Sequence, residues 1–189
     1  MLEGEAVVIR PMAANGKRAE NCAGTNNGIR HIDRWLQIDG GKWDVIHFNF
    51  GLHDLKRVMP DSGKNSNDPG HPRQAEPDAY ERQLREIALK ARKTGAALVF
   101  CTTTPVPAGG VKPHRDVEDA QRYNAIGRKI AKEVGAAVND LWAVAQPRLK
   151  EIQRPVNVHF TPDGSKLLAE HVVKAVRRSL ASKAPAGAE

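Results

Sequence analysis

The sequence predicts an α/β protein, a single three-layer α/β/α domain built around a parallel sheet. Short runs rich in Val, Ile and Phe alternate along the chain with amphipathic helical patterns, which is typical of strands joined by helices. The chain has 189 residues, which is enough for one buried core but short for two domains. Its apolar fraction of 40% is that of a globular protein. We therefore expect one domain over residues 1–181.

Four short apolar segments predict the strands of the sheet. Each has the length of a strand and is apolar enough to be covered on both faces. They are residues 5–10, 43–50, 96–102 and 135–139.

Helical periodicity predicts four helices around these strands. Two cover residues 28–36 and 117–134. Another opens with a capping-box pattern at Asp78 and Glu81 and ends at Gly95. The last begins after Thr161 as N-cap, with Pro162 at its first position, and runs to residue 180.

Two segments lie outside this pattern. Residues 57–77 have almost no apolar content and follow the end of a strand closely. Connections of that length usually form a lid, a binding loop or an insertion, so both a lid over a site and a plain surface insertion stay open. Residues 182–189 predict a flexible tail.

Charge and cysteine content exclude several classes of partner. The formal net charge is +7, but the basic residues are scattered and lack interleaved aromatics, so we expect no nucleic-acid partner. No apolar run approaches the roughly 20 residues of a membrane span, and the start does not resemble a signal peptide, so we expect a soluble chain. The two cysteines and the histidines match no metal-ligand spacing. We expect no metal and no cofactor.

Three segments at strand ends or beside the last helix carry the candidate chemistry, namely residues 21–28, 51–54 and 157–161. In open parallel sheets ligands bind beyond the carboxyl ends of the strands. Small residues and amides in the first two segments allow backbone N–H groups to approach a ligand oxygen, and His159 is placed to act as a general base. The combination indicates acyl transfer.

The residues of these segments resemble a known family. The runs WDVIHFNFGLHDLK (43–56), NDL (139–141) and VNVHFTPDGSKLLAEHV (156–172) resemble the SGNH hydrolases, also called the GDSL-like esterase and lipase family. The resemblance covers nearly the whole chain, and it implies a flavodoxin-like parallel sheet and hydrolysis of carboxylic esters. By position, Gly24 resembles the glycine of the second sequence block, residues 51–54 the third block, and His159 the catalytic histidine. The resemblance implies that Gly24 and His53 donate to the oxyanion.

The sequence also departs from the family pattern. It contains no Gly-Asp-Ser, the motif that carries the family's nucleophile. His53 stands where the family usually has its oxyanion Asn, and Val156 stands where it usually has an Asp. Asn157 is the nearest polar residue to that position, and we expect it to orient His159 without supplying a charge.

The missing motif leaves the nucleophile open. Ser62 and Ser66 lie in the long loop and have no fixed base. Cys22 lies close to the expected oxyanion site and is the candidate within this chain. An inert, buried cysteine is the alternative.

The resemblance also implies a missing strand. Residues 5–10 resemble the family's second strand, and in a flavodoxin-like order the first strand lies between the second and the third. Three arrangements would give the unpaired backbone groups their hydrogen-bond partners. In the first, the chain begins at an internal Met of a longer protein that contains the strand. In the second, the two flanking strands pair directly, and in the third, a second copy supplies the strand in a homodimer.

The expected function is hydrolysis of a carboxylic ester in which an acetyl or other short acyl group is carried by a carbohydrate. We expect little turnover because the serine motif is absent. The alternative is a catalytically inactive module that binds a glycan or another small ligand through Asn26, Asn27, His53 and the long loop. Purely structural roles for the same residues also stay open. In that interpretation His159 is a capping residue and His53 and Asp54 cap their own loop. Gly24 then only provides the conformation that a turn requires.

Overall fold

The computed structural model describes residues 1–183, and within them a three-stranded parallel sheet lies between helices. The strands are β1 (Val45–Phe48), β2 (Ala97–Cys101) and β3 (Ala137–Asn139), in the order β1-β2-β3. The register pairs His47 with Val99 and Phe100 with Val138. The helices are α1 (Thr25–Leu36), α2 (Pro77–Arg92), α3 (Asp119–Val134), α4 (Leu141–Ala145), α5 (Leu149–Ile152) and α6 (Pro162–Lys183).

The helices form two layers around the sheet, as the sequence predicts. α6 packs against all three strands, while α2 and α3 pack together against β2 and α1 packs on α2. The centre of the core is aromatic. The rings of Tyr80 and Tyr123 lie 4.7 Å apart, and Phe48 meets Phe100 edge-on.

Three of the four predicted strands are confirmed. The middle strand, β2, is almost fully buried, as expected of a strand covered on both faces. β1 is only half-buried, and Val138 of β3 is 39% exposed. Both lie at the edges of the described sheet, so burial on both faces holds for β2 alone.

The prediction of a strand over residues 5–10 is wrong. Val7 and Val8 are 88% and 72% exposed, and the backbone N–H groups of Glu5 and Ala6 donate to Leu2 O in a turn. A strand exists only when a neighbour completes its ladder, and no described strand pairs with this segment. Direct pairing with β1, one of the three expected arrangements, is therefore not present.

A groove separates the N-terminal segment from the outer edge of β1. It has a volume of about 240 Å³, and it is lined by Ile9 and Pro11 on one side and by β1 residues and Trp35 on the other. The peptide groups along this edge of β1 make no ladder with any described strand.

The helix predictions are confirmed, and three of the four helices begin at other residues than predicted. α1 begins at Thr25, three residues earlier than predicted. The prediction of a capping box that starts at Asp78 is wrong. α2 begins at Pro77, so Asp78 lies inside its first turn, and the carboxylate of Glu76 accepts from Arg73 N instead of capping the helix. None of the helices in residues 1–183 combines the length and apolar character that crossing a membrane requires.

The C-terminal helix begins as predicted. Thr161 Oγ1 accepts the Gly164 N–H at 3.1 Å, which is the bond expected of an N-cap threonine. α6 continues to Lys183, so residues 182 and 183 are helical. The rest of the predicted tail, 184–189, lies outside the described residues.

Candidate functional site

The loop after β1 is fixed to the end of β2. Asn49 Nδ2 donates to Cys101 O at 2.7 Å, and Thr103 Oγ1 donates to Phe50 O at 3.2 Å. Gly51 follows directly, and a Cβ atom there would lie 1.8 Å from Thr103 Oγ1. Only glycine fits this approach of the two chains. The structure therefore holds residues 51–54 at the carboxyl edge of the sheet.

The segment that carries His159 is closed by its own backbone bonds and tied to the same edge by the side chain of Gln153. Arg154 N donates to His159 O at 3.0 Å, and Thr161 N donates to Ile152 O at 2.9 Å. Gln153 Nε2 then donates to Pro105 O in the loop after β2, at 3.1 Å. These bonds explain how residues late in the chain reach the loops of the sheet.

His159 is oriented by Asn157, as the sequence predicts. The Asn157 Oδ1 atom lies 2.7 Å from His159 Nδ1, and it also accepts the His159 backbone N–H at 2.9 Å. An amide oxygen only accepts, so the imidazole proton sits on Nδ1. The other ring nitrogen, Nε2, is left as the basic atom.

His53 lies in the same neighbourhood. Its pKa is lowered to about 4, first because burial disfavours the charged ring and then because Lys56, Arg115 and His159 add nearby positive charge. His53 is therefore a neutral imidazole at pH 7. Its Nε2 lies 3.4 Å from the amide nitrogen of Asn21, and its buried Nδ1 has no partner within residues 1–183.

Arg115 is a functional candidate that the sequence analysis missed. Its side chain is 7% exposed and donates to the carbonyl oxygens of Leu52 at 2.6 Å and Pro113 at 3.1 Å. Burial lowers its pKa to about 10, and no carboxylate of the described residues pairs with it. A buried cation beside His53 makes this corner of the site electropositive, which favours developing negative charge.

Asp54 and Gly24 meet at the start of α1. Asp54 is fully buried, and its Oδ1 accepts from both the backbone N and the Oγ1 of Thr25 at 2.7 Å. A Cβ atom on Gly24 would lie 2.7 Å from that oxygen and 2.3 Å from Gln74 Nε2. Asp54 thus fixes the entry to α1, and its own pKa is raised to about 6 by burial, against the effect of the Thr25 bonds.

Asn26, another predicted site residue, faces the long loop. Its Oδ1 accepts from Gln74 Nε2 at 3.2 Å. Gln74 therefore bridges the loop to the first turn of α1. Among the described backbone hydrogen bonds none uses the N–H of Gly24, so this group is free to donate to a ligand.

Cys22 makes no hydrogen bond to His159 within the described residues. It lines the groove beside β1, and its pKa is raised, first by burial and then by the charge of Glu20. The group is a thiol at neutral pH, which is the weaker form as a nucleophile. No serine or cysteine in residues 1–183 hydrogen bonds to His159.

Ser66 forms a serine–histidine contact of its own. Its Oγ lies 2.8 Å from His71 Nδ1 and accepts the backbone N–H of Asp68 at 3.0 Å. The side chain is 8% exposed. The Oγ is thus engaged in holding the turn of the long loop.

The long loop is fastened by buried ion pairs. Arg73 Nε donates to Asp119 Oδ2 at 2.5 Å, and Asp119 is 2% exposed at the start of α3. Asp116 binds both Arg57 and Arg73. These pairs join residues 57–77 to the segment that carries Arg115. Across the described part of the chain, no group of three or more His, Cys, Asp or Glu side chains is arranged to hold a metal ion.

Comparisons with known proteins identify the family and the fold. Residues 4–167 match the profile of the GDSL-like Lipase/Acylhydrolase family. No curated protein matches the sequence.

Three solved structures illustrate the similarity of fold. LAE5, an α/β hydrolase from the metagenome of Lake Arreo, has 15% identity and a TM-score of 0.63, over 82% of this chain and 68% of its own. The lipase/acylhydrolase from Enterococcus faecalis has 17% identity and a TM-score of 0.62, over 87% and 74%. Axe2, an acetylxylan esterase from Geobacillus stearothermophilus, has 18% identity and a TM-score of 0.58, over 78% and 67%.

Proposed function

Because the chain belongs to the GDSL-like lipase/acylhydrolase family, we propose that it is a carboxylic ester hydrolase whose substrates are acetyl or other short acyl esters of carbohydrate. The family supports ester hydrolysis. The acetylxylan esterase among the proteins of similar fold supports the choice of substrate.

One observation carries the proposal, namely the pair formed by Asn157 and His159. Asn157 Oδ1 holds the protonated Nδ1 at 2.7 Å, which leaves Nε2 to take a proton from the attacking hydroxyl. The same nitrogen then returns the proton to the leaving alcohol oxygen. Asn157 carries no charge to stabilise the imidazolium formed in between, so the base is weaker than one paired with a carboxylate.

The oxyanion of the tetrahedral intermediate needs donors at the same edge. Gly24 offers its unengaged backbone N–H. His53 offers the single N–H of a neutral imidazole in the tautomer with the proton on Nε2, since Nδ1 is buried. The amide of Asn21 and the buried guanidinium of Arg115 strengthen the positive potential there. Donors that are fixed before reaction stabilise the developing charge without reorganisation.

Within residues 1–183, no contact places an attacking hydroxyl beside His159. No described serine or cysteine pairs with His159, and the Cys22 thiol has a raised pKa. We therefore expect the chain of residues 1–189 to hydrolyse esters slowly by itself. In that reaction His159 takes a proton from a hydroxyl that none of the described contacts holds.

The test is hydrolysis of p-nitrophenyl acetate by the chain and by His159→Ala. We expect a slow, saturable rate that falls to background in the variant. His171→Ala is the matched control, because His171 lies on α6 away from Asn157 and imidazole groups hydrolyse this ester non-specifically. Equal rates in all three proteins would overturn the proposal.

A Cys22→Ala variant in the same assay tests the nucleophile. We expect it to keep the wild-type rate, because the Cys22 thiol lines the groove beside β1 and no hydrogen bond joins it to His159. Loss of activity in both Cys22→Ala and His159→Ala would instead identify a cysteine nucleophile.

The second candidate is a binding module without turnover. The lack of a hydroxyl or thiol bonded to His159 in residues 1–183 favours it. Binding of a carbohydrate ester that persists in His159→Ala, with no release of the acyl group by any variant, is its expected signature.

A further inference from the structure

A wide groove opens beside the His159 segment. It lies between the loop after β2 and the segment that follows β3, and its volume is about 1080 Å³. Arg154 and Val156 line it, and Asn157 follows Val156 directly along the chain. A molecule in this groove therefore lies beside the segment that carries the base proposed above.

The wall from β3 carries an aromatic platform. Trp142 is half-buried, packs against the hydrophobic core, and lines the groove. Its backbone N–H donates to Thr102 Oγ1 at 3.0 Å, which fixes the start of α4 to the end of β2. No described residue accepts from its indole N–H. A ring held on one side with a free donor suits a ligand that has both an apolar face and hydroxyl groups.

A second wall presents an unpaired amide oxygen. Gln153 is 5% exposed, and its Nε2 donates to Pro105 O at 3.1 Å, which fixes the orientation of the amide. Its Oε1 has no donor among the described residues. An unpaired buried acceptor is costly, and a ligand hydroxyl that reached this oxygen would supply the missing bond.

The rim is apolar and exposed. Val117 and Val156 are 51% and 50% exposed, and both line the groove. Val156 has a positive φ of 49° and packs against Gly109, so this part of the rim is held by the loop after β2. Exposed apolar side chains around a concave surface are a common sign of a binding site.

The charges around the groove nearly balance. Arg148 and Glu151 neutralise each other at 3.1 Å. The remaining charged residues are Glu118, Lys150 and Arg154. A near-neutral lining with one aromatic platform favours an uncharged ligand over a polyanion.

We propose that this groove binds the sugar residues of a neutral oligosaccharide chain, with one ring stacked on Trp142 and a hydroxyl bonded to Gln153. The inference rests on the proposed function, because it assigns the carbohydrate part of the ester to a surface next to His159. It names the ligand class as uncharged pyranose chains of several residues.

The test uses xylohexaose, an unacetylated oligosaccharide, in isothermal titration calorimetry with the whole chain. We expect saturable binding that Trp142→Ala weakens at least tenfold and Gln153→Ala weakens severalfold. Trp43→Phe is the matched control. Trp43 is a second partly buried tryptophan, but its indole N–H donates to Leu36 O and it lines the other groove, beside β1. This variant is expected to bind like the wild type.

Thermal unfolding of each variant checks that the fold persists. Trp142→Phe keeps an aromatic ring and is expected to recover most of the affinity that Trp142→Ala loses. The inference is overturned if the wild type binds no xylohexaose, or if Trp142→Ala binds as tightly as the wild type.

Binding and turnover separate this inference from the proposed function. Xylohexaose carries no ester, so its binding needs no nucleophile. If xylohexaose binding depends on Trp142 but no ester hydrolysis depends on His159, the groove is supported as a sugar site and the hydrolase proposal is contradicted. If ester hydrolysis depends on His159 but sugar binding does not depend on Trp142, only the groove proposal is contradicted.

Discussion

The imidazole of His159 is held by its near neighbour Asn157, whose single amide oxygen accepts both the ring Nδ1–H and the backbone N–H of His159. This oxygen fixes the direction of the ring but adds no charge. We predict that Asn157→Asp raises kcat/KM for p-nitrophenyl acetate by about tenfold or more, because a carboxylate stabilises the imidazolium. Steady-state kinetics measures the effect, and Asn157→Ala, which loses the orientation as well, is expected to fall below the wild type.

His53 is predicted to be a weaker oxyanion donor than an amide. Its ring is neutral at pH 7, and its buried Nδ1 faces no described partner. We expect His53→Asn to raise kcat by about tenfold with little change in KM, since an amide presents two N–H groups and single donors of this kind are worth ~10²–10³ in kcat. A variant whose kcat drops would show that the imidazole itself is required.

The buried carboxyl of Asp54 should give the stability of the folded protein an unusual dependence on pH. Burial raises its pKa from 3.8 to about 6. Because the folded pKa lies above the unfolded one, this carboxyl stabilises the fold when protonated, and that contribution is lost as the pH rises from about 4 to about 6.

The variant Asp54→Asn keeps an acceptor oxygen for Thr25 but does not ionise. Its stability relative to the wild type should therefore improve between pH 4.5 and pH 7.5, as measured by urea unfolding at each pH. His53, with its lowered pKa, contributes in the opposite direction in both proteins, so it cancels in the comparison. A difference that is the same at the two pH values would contradict the prediction.

The buried ion pair between Arg73 and Asp119 should matter more than pairs on the surface. Asp119→Ala leaves the guanidinium of Arg73 without its most buried partner, and we expect a loss of about 3 kcal/mol in the free energy of unfolding. Arg85→Ala is the matched control, since Arg85 pairs with Glu81 and Glu133 on the surface and should cost about 1 kcal/mol or less. Chemical denaturation gives both values, and limited proteolysis should cut residues 57–77 faster in Asp119→Ala alone.

Gly127 is predicted to be a packing requirement of α3. Alanine normally stabilises a helix interior relative to glycine by about 0.5–1 kcal/mol. Here a Cβ atom would lie 2.2 Å from Phe100 Cζ, so Gly127→Ala should cost about 1–3 kcal/mol instead. A double-mutant cycle with Phe100→Leu checks the cause, because the cost of the alanine should shrink when the ring is absent.

Sequence patterns predicted the parts of the fold that depend on nearby residues. α2, α3 and α6 follow from helical periodicity, and β2 follows from an apolar run buried by its neighbours. The pairing of Asn157 with His159 spans two residues, so it was open to sequence reasoning. Residues 5–10 have the composition of a strand, but a strand depends on a partner that composition does not reveal.

The missed parts of the site depend on distant contacts. Arg115 is buried because the Leu52 carbonyl, 63 residues away, accepts its Nε. Nothing local marks it as different from the other arginines. The role of Asp54 at the start of α1 likewise requires a contact across 29 residues. The fold class could therefore be predicted from the sequence, whereas the electrostatics of the site could not.

The uncovered edge of β1 has a consequence for handling the protein at high concentration. Its peptide groups lack a ladder partner on one side, and the exposed valines of residues 5–10 lie in the same molecule. Unprotected strand edges recruit one another in solution, and a neighbouring apolar stretch promotes the encounter. We therefore expect β-type self-association of the chain to set in as its concentration rises.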